Sequence, residues 1–171
     1  SSRIKIKFEN KFFINTILNK IRKAKLNSCI YAWKRNDTDI TFGASPEKLF
    51  SLANDELTLE AIAGSKESEL SKYYLLGNSK DIREHQFVVN FLIHCLKELN
   101  IDNFQKSDLK VKEFGDISHL QTIINASVQR LSPFEVLRIL HPSPAICGIP
   151  KEIANEWIQT LEDFTRDNYA A

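Results

Sequence analysis

With 171 residues, 43% of them hydrophobic and 26% charged, the chain has the composition of an ordinary globular unit rather than a disordered, collagenous or repeat protein. Its 23 Lys and Arg stand against 22 Asp and Glu, a net charge of +1, which leaves no basic field to hold a nucleic-acid backbone. The longest apolar stretch, residues 87–96, is interrupted by Asn90 and His94 and falls short of the roughly 20 residues that cross a bilayer, so no membrane span is expected.

Apolar residues alternating with Lys over residues 4–8 predict a half-buried strand. Phe13, Ile17, Leu18 and Ile21 predict a helix over 12–24. Residues 28–33 and 39–42 predict an antiparallel hairpin turning at Asn36-Asp37, then a turn over 43–46. A second hairpin, 49–52 with 57–62, turns at Asn54-Asp55, so the opening half reads as a helix packed on antiparallel strands. The polar residues 66–78 carry few core candidates and read as a surface helix or a mobile loop.

From Ser79 a long helix is expected, with Glu84, Val88, Phe91 and Cys95 along one stripe and Ile82, Val89, Leu92, Leu96 and Leu99 flanking it. That register puts Glu84 at the edge of the packing face, its carboxylate turned inward or into a cleft. Residues 109–114 and 119–126 predict strands joined at Gly115-Asp116. Ser132-Pro133 starts a helix through 140, Pro142 and Pro144 keep 141–144 irregular, and Pro150 opens a last helix to 161. Cys29, Cys95 and Cys147, odd in number and far apart, fit neither a disulfide framework nor a zinc site; they read as buried, inert thiols in a reducing, cytoplasmic compartment. The chain contains no Met and begins Ser-Ser, which reads as a piece of a longer protein.

Four segments carry residues suited to chemistry, each with a structural alternative. Gly43-Ala44-Ser45-Pro46-Glu47 ends on a carboxylate, either a helix start or a reactive acid. Glu60-Ala61-Ile62-Ala63-Gly64-Ser65 is a strand running into small residues, either an ordinary turn or a place where backbone amides and the Ser65 hydroxyl meet an anion. Asp81 and Glu84, three apart, either complement a helix dipole or offer oxygens to a hard cation such as magnesium. His119-Leu120-Gln121-Thr122 and residues 141–148 read either as core and loop scaffolding or as parts of a site.

All four occur in an order that resembles the chorismate-utilising enzyme family. The match runs through Gly43-Ala44-Ser45-Pro46-Glu47, Ala61-Ile62-Ala63-Gly64-Ser65, Lys80-Asp81-Ile82-Arg83-Glu84-His85, His119-Leu120-Gln121-Thr122, His141-Pro142-Ser143-Pro144-Ala145-Ile146-Cys147-Gly148 and Phe164-Thr165-Arg166. The resemblance implies an α+β fold of antiparallel sheets flanked by helices, with residues 1–171 forming the central part of one chorismate-binding catalytic domain. Ser65-Lys66-Glu67 stands where the ammonia-using branches carry Arg-Pro-Arg after Ala-Gly-Thr, so the isochorismate branch, of the menaquinone or phylloquinone type, is implied. Salicylate synthesis and chorismate binding without catalysis are the alternatives.

The implied reaction adds water at ring carbon two of chorismate while the hydroxyl at ring carbon four leaves. By motif Glu47 is the general acid, which must keep its proton at neutral pH, a state that desolvation and the substrate's carboxylates favour. Glu84 matches a magnesium ligand, with Asp81 as its neighbour one turn earlier. Gly64, Ser65, His119, Ala145, Ile146 and Tyr169 match substrate-binding positions. The same resemblance puts the base lysine before residue 1, with Ser2-Arg3 as the end of its strand pattern, and a second metal-binding glutamate and a substrate-binding arginine beyond residue 171. Neither Lys5 nor Lys7 substitutes for that base, and the isolated chain is expected to be inactive.

Overall fold

A computed structural model describes residues 12–23, 28–36, 39–45, 47–67, 71–114, 117–163 and 166. The expected strand over 4–8, the Gly115-Asp116 turn, Pro46 and Tyr169 lie outside the described residues. Two compact units divide the chain, Ser1–Glu47 and Lys48–Ala171.

In the first unit, helix α1 (Phe12–Lys23) places Lys20, Arg22 and Lys23 in its last turn, where cations complement the helix dipole. Strands β1 (Cys29–Lys34) and β2 (Ile40–Ser45) pair antiparallel, from Cys29 opposite Ser45 to Lys34 opposite Ile40. The expected turn at Gly43 is therefore strand. Gly43 lies opposite Tyr31, whose hydroxyl oxygen stands 2.7 Å from where a Cβ would be, so a residue without a side chain continues the ladder under the tyrosine ring. Cys29 is exposed, which corrects the expectation that every thiol is buried.

The second unit begins with β3 (Phe50–Ala53) and β4 (Glu56–Glu67), joined by Asn54 and Asp55 at φ 53° and 57°. Two consecutive residues in the left-handed region fit a two-residue hairpin turn whose twist matches the strands, and Asn and Asp tolerate that region best. There follow α2 (Ser71–Gly77), α3 (Ser79–Glu98), β5 (Gln105–Lys106), β6 (Lys110–Phe114), β7 (Ile117–Ser127), α4 (Pro133–Leu140) and α5 (Lys151–Leu161). Among the described residues the sheet runs β3–β4–β7–β5, all antiparallel, with β6 also paired to β7. The second hairpin thus belongs to this sheet. The architecture is α+β.

Period two governs both long strands. Leu57, Leu59 and Ala61 of β4 and Leu120, Ile124 and Ala126 of β7 are buried, while their alternate neighbours are partly exposed. Against that buried face pack Val89, Leu92, Cys95 and Leu96 of α3 and Val136 and Leu140 of α4. Each fully buried Leu contributes roughly 1.5–3 kcal/mol, which makes this the principal source of cohesion in the unit. Within 66–78 the described residues form the end of a strand and a short helix. β4 extends to Glu67, and Leu75 of α2 is fully buried, one apolar residue sufficing to fix a short helix.

The packing face of α3 is displaced by one residue from the expected stripe. His85, Val89, Leu92, Cys95 and Leu96 are buried, whereas the side chain of Glu84 is half exposed, 3.5 Å from Lys80. His85 heads the buried stripe, its Nε2 2.9 Å from Thr122 Oγ1. None of the described helices is long and apolar enough to cross a membrane.

Candidate functional site

The site in the second unit is built around an irregularity in β4. Ala63 pairs with Leu120 and Ser65 with His119, so Gly64 is an extra residue bulged out of the ladder at φ +72°. A Cβ on Gly64 would lie 3.2 Å from Asp81 Cβ and 3.4 Å from Leu120 Cδ1. The bulge therefore lets the first turn of α3 come down on the strand, and only glycine accepts both the dihedral and the contact. Asn78 fixes that helix end: its side-chain oxygen accepts from the backbone N–H of Lys80 at 2.9 Å and of Asp81 at 3.2 Å.

On the sheet face opposite α3, Ser65 Oγ and His119 Nδ1 lie 2.8 Å apart, joined across the β4–β7 pair just beyond the bulge. The ring of Phe114 stands edge-to-face to His119 with centroids 5.5 Å apart. Beside them Glu60 accepts hydrogen bonds from Lys112 Nζ at 2.8 Å and Gln121 Nε2 at 3.2 Å, and Lys112 also lies 4.7 Å over the Phe114 ring. Alternation of side chains across a strand puts all of these on one face.

Gly64, Ser65 and His119 lie at one end of the β4–β7 pair, and Asp81 of α3 approaches Gly64 on the sheet face opposite the Ser65–His119 contact. Glu84 follows Asp81 by one turn and is half exposed rather than turned into the core. Ala145 is exposed and Ile146 partly buried in the irregular segment after α4, where the backbone N–H groups of Ile146 and Cys147 both donate to Ser143 O. Glu47 is exposed in the first unit, its carbonyl accepting from Ser45 Oγ at 3.0 Å.

Three contributors were given no role by the sequence reading, although His85 and Arg166 lie within its matched blocks. Asn78 sets the start of α3, and an Asn three residues before Asp81 was a legible capping signal. Burial holds His85 below the ordinary imidazole value near 6.5. Arg166 donates to Ile146 O at 3.1 Å while gripping both Glu162 oxygens at 2.7 Å, so a bidentate pair steadies the 141–148 segment from α5's end. That long-range contact has no local signature in the sequence.

Asp81 and Glu84 offer two carboxylates, hard oxygen donors of the kind magnesium takes one or two at a time together with water and substrate oxygens. Among the described residues no group of three or more His, Cys, Asp and Glu side chains forms a protein-only metal cage. The two carboxylates are of the donor class magnesium takes, Glu84 lying 3.5 Å from Lys80.

Comparison with known proteins gives a consistent result. A family model described as chorismate binding enzyme matches residues 1–171. The chain is 26% identical over 148 residues to isochorismate synthase MenF of Haemophilus influenzae, a match covering 82% of this chain and 34% of the relative. It superposes with TM-score 0.79 on MenF, the menaquinone-specific isochorismate synthase from Escherichia coli, at 24% identity over 88% of this chain and 36% of that one. It also superposes with TM-score 0.71 on anthranilate synthase component I from Streptococcus pneumoniae, at 24% identity over 91% of this chain and 35% of that one. The chain spans between about a third and somewhat under half the length of the curated relatives it matches first.

Proposed function

The chain belongs to the chorismate binding enzyme family, and from that premise we propose that it is the central part of the catalytic domain of an isochorismate synthase. The observation that carries this reading is the Gly64 bulge of β4, which Asp81 of α3 meets on one face of the sheet and beyond which Ser65 and His119 join on the other. The fold is common to an anthranilate synthase component, so the choice of reaction rests on two other supports. The first matched relatives carry isochorismate synthase names, and Ser65-Lys66-Glu67 replaces the sequence that the resemblance associates with ammonia-using enzymes.

In this reading chorismate lies against the Gly64 bulge, where a strand without a side chain admits close approach of its carboxylate. Ser65 and His119 contact the substrate near the departing hydroxyl, and Ala145 and Ile146 form the floor under the ring, with Tyr169 completing the lining. Glu47 donates a proton to the hydroxyl at ring carbon four, converting a poor leaving group into water, while a second water attacks ring carbon two. Asp81 and Glu84 would hold magnesium, which when bound offsets the charge of the substrate's ring carboxylate. The free thiols and the family chemistry support a cytoplasmic enzyme acting on a small molecule.

The chain alone, which spans between about a third and somewhat under half of these relatives, is expected to lack activity. The test is product analysis on the complete protein given chorismate and magnesium. Isochorismate as the sole product supports the reading. Release of salicylate with pyruvate, or magnesium-dependent binding without conversion, would replace it.

A further inference from the structure

The side-chain contacts on the outer face of the sheet close into a ring that begins and ends on β4. Glu60 holds Lys112 Nζ at 2.8 Å; Lys112 lies 4.7 Å over the Phe114 ring; Phe114 stands 5.5 Å from His119; His119 Nδ1 returns to Ser65 at 2.8 Å. Glu60 and Ser65 flank the Gly64 bulge on one strand, and the ring crosses β7 to β6 between them. Lys112 is directly opposite His119 in the β6–β7 ladder, yet its ammonium reaches past β7 to a carboxylate two strands away. With side-chain exposures of 26% for Lys112 and 17% for Glu60, this is no ordinary surface pair.

We infer that Lys112 is a positioning residue for His119. Anchored by Glu60, its ammonium holds the Phe114 ring by a cation–π contact, and the T-shaped contact of that ring restrains the imidazole whose Nδ1 is tied to Ser65. The imidazole is thus constrained at one nitrogen and along its side, and its second nitrogen keeps one direction relative to the bulge. A histidine that meets a substrate hydroxyl gains from such constraint, because reorientation is then complete before the substrate arrives. Gln121, the other donor to Glu60, keeps the carboxylate in place from β7. The use of the constraint for chorismate rests on the proposed function; the constraint itself does not.

The test reads the imidazole ring-proton resonances of His119 in the intact protein, assigned by their loss in His119→Gln and compared at the neutral end of each variant's pH titration. Phe114→Leu removes the ring current and defines the displaced value. Lys112→Met, which keeps the stem and deletes the charge, is expected to move the His119 protons toward that value, and Lys112→Arg to restore the native position. The other three histidines and the thermal midpoint serve as controls for a general loss of structure. His119 protons unmoved in Lys112→Met would overturn the assignment. If Lys112→Met does not fold, Glu60→Gln is read in the same way, with the same two outcomes. A protein that makes no isochorismate yet shows these shifts supports the assignment and removes only the functional reading.

Discussion

Gly64 carries more of the site than any other single residue. Its φ of +72° and the 3.2 Å that would separate a Cβ from Asp81 mean that Gly64→Ala incurs both a left-handed backbone and a displaced helix turn. The backbone alone costs about 1–2 kcal/mol. Urea unfolding is expected to show at least that loss, accompanied by weaker magnesium binding as Asp81 moves; unchanged stability would mean the bulge relaxes without cost. The strand running into Gly64 was legible in the sequence, but small residues suit an ordinary turn equally well, so the bulge itself was not. The half-exposure of Glu84 was not, because a one-residue error in helix register is invisible until the buried histidine beside it is recognised. Cys95 shows the same limit from the other side. Buried among α3 and α4 residues, its thiol is pushed up to about 12 by desolvation and, less strongly, by Glu98, whereas nothing local to Cys29 announced its exposure.

At the scale of elements, α3 transmits the fold to the site, and its two controls are separable. Asn78 satisfies two backbone donors at its head, so Asn78→Ala is expected to cost about 1 kcal/mol, seen as a fall of roughly 2–4 °C in thermal midpoint for a chain of this size. An unshifted midpoint would show that the packing of Leu92 and Leu96 alone fixes the helix start. His85 is the second control. Because burial lowers its affinity for protons in the folded state, the unfolded chain binds more protons below about pH 6.5, and stability must fall as pH drops through that value. His85→Gln, which keeps a donor toward Thr122 without titrating, is expected to flatten the difference between urea midpoints at pH 7 and pH 5; an equal difference in both proteins would place the acid sensitivity elsewhere. Periodicity made most strands and helices readable: β4 and β7 alternate strictly, and the Ser132 cap with Glu135 marks α4. The two-residue β5 and the turn-like β2 end were obscured, since pairing with distant strands and not local preference decides them.

At the scale of the whole molecule, two compact units divide the candidate residues, Glu47 in one and the Gly64–His119–Asp81 cluster with Glu84 in the other. The proposed reaction asks a proton of Glu47 and charge neutralisation of Asp81 and Glu84. Sequence order alone suggested that partnership, since six short blocks in a fixed succession are improbable without a shared site, whereas composition and charge were silent about it. The most direct measurement compares wild-type and Glu47→Gln forms of the complete protein for chorismate turnover and chorismate binding under the same magnesium concentration. The account predicts that Glu47→Gln retains binding and loses isochorismate formation by about a hundredfold or more, the scale of a general-acid contribution. Equal turnover in the two forms would contradict it.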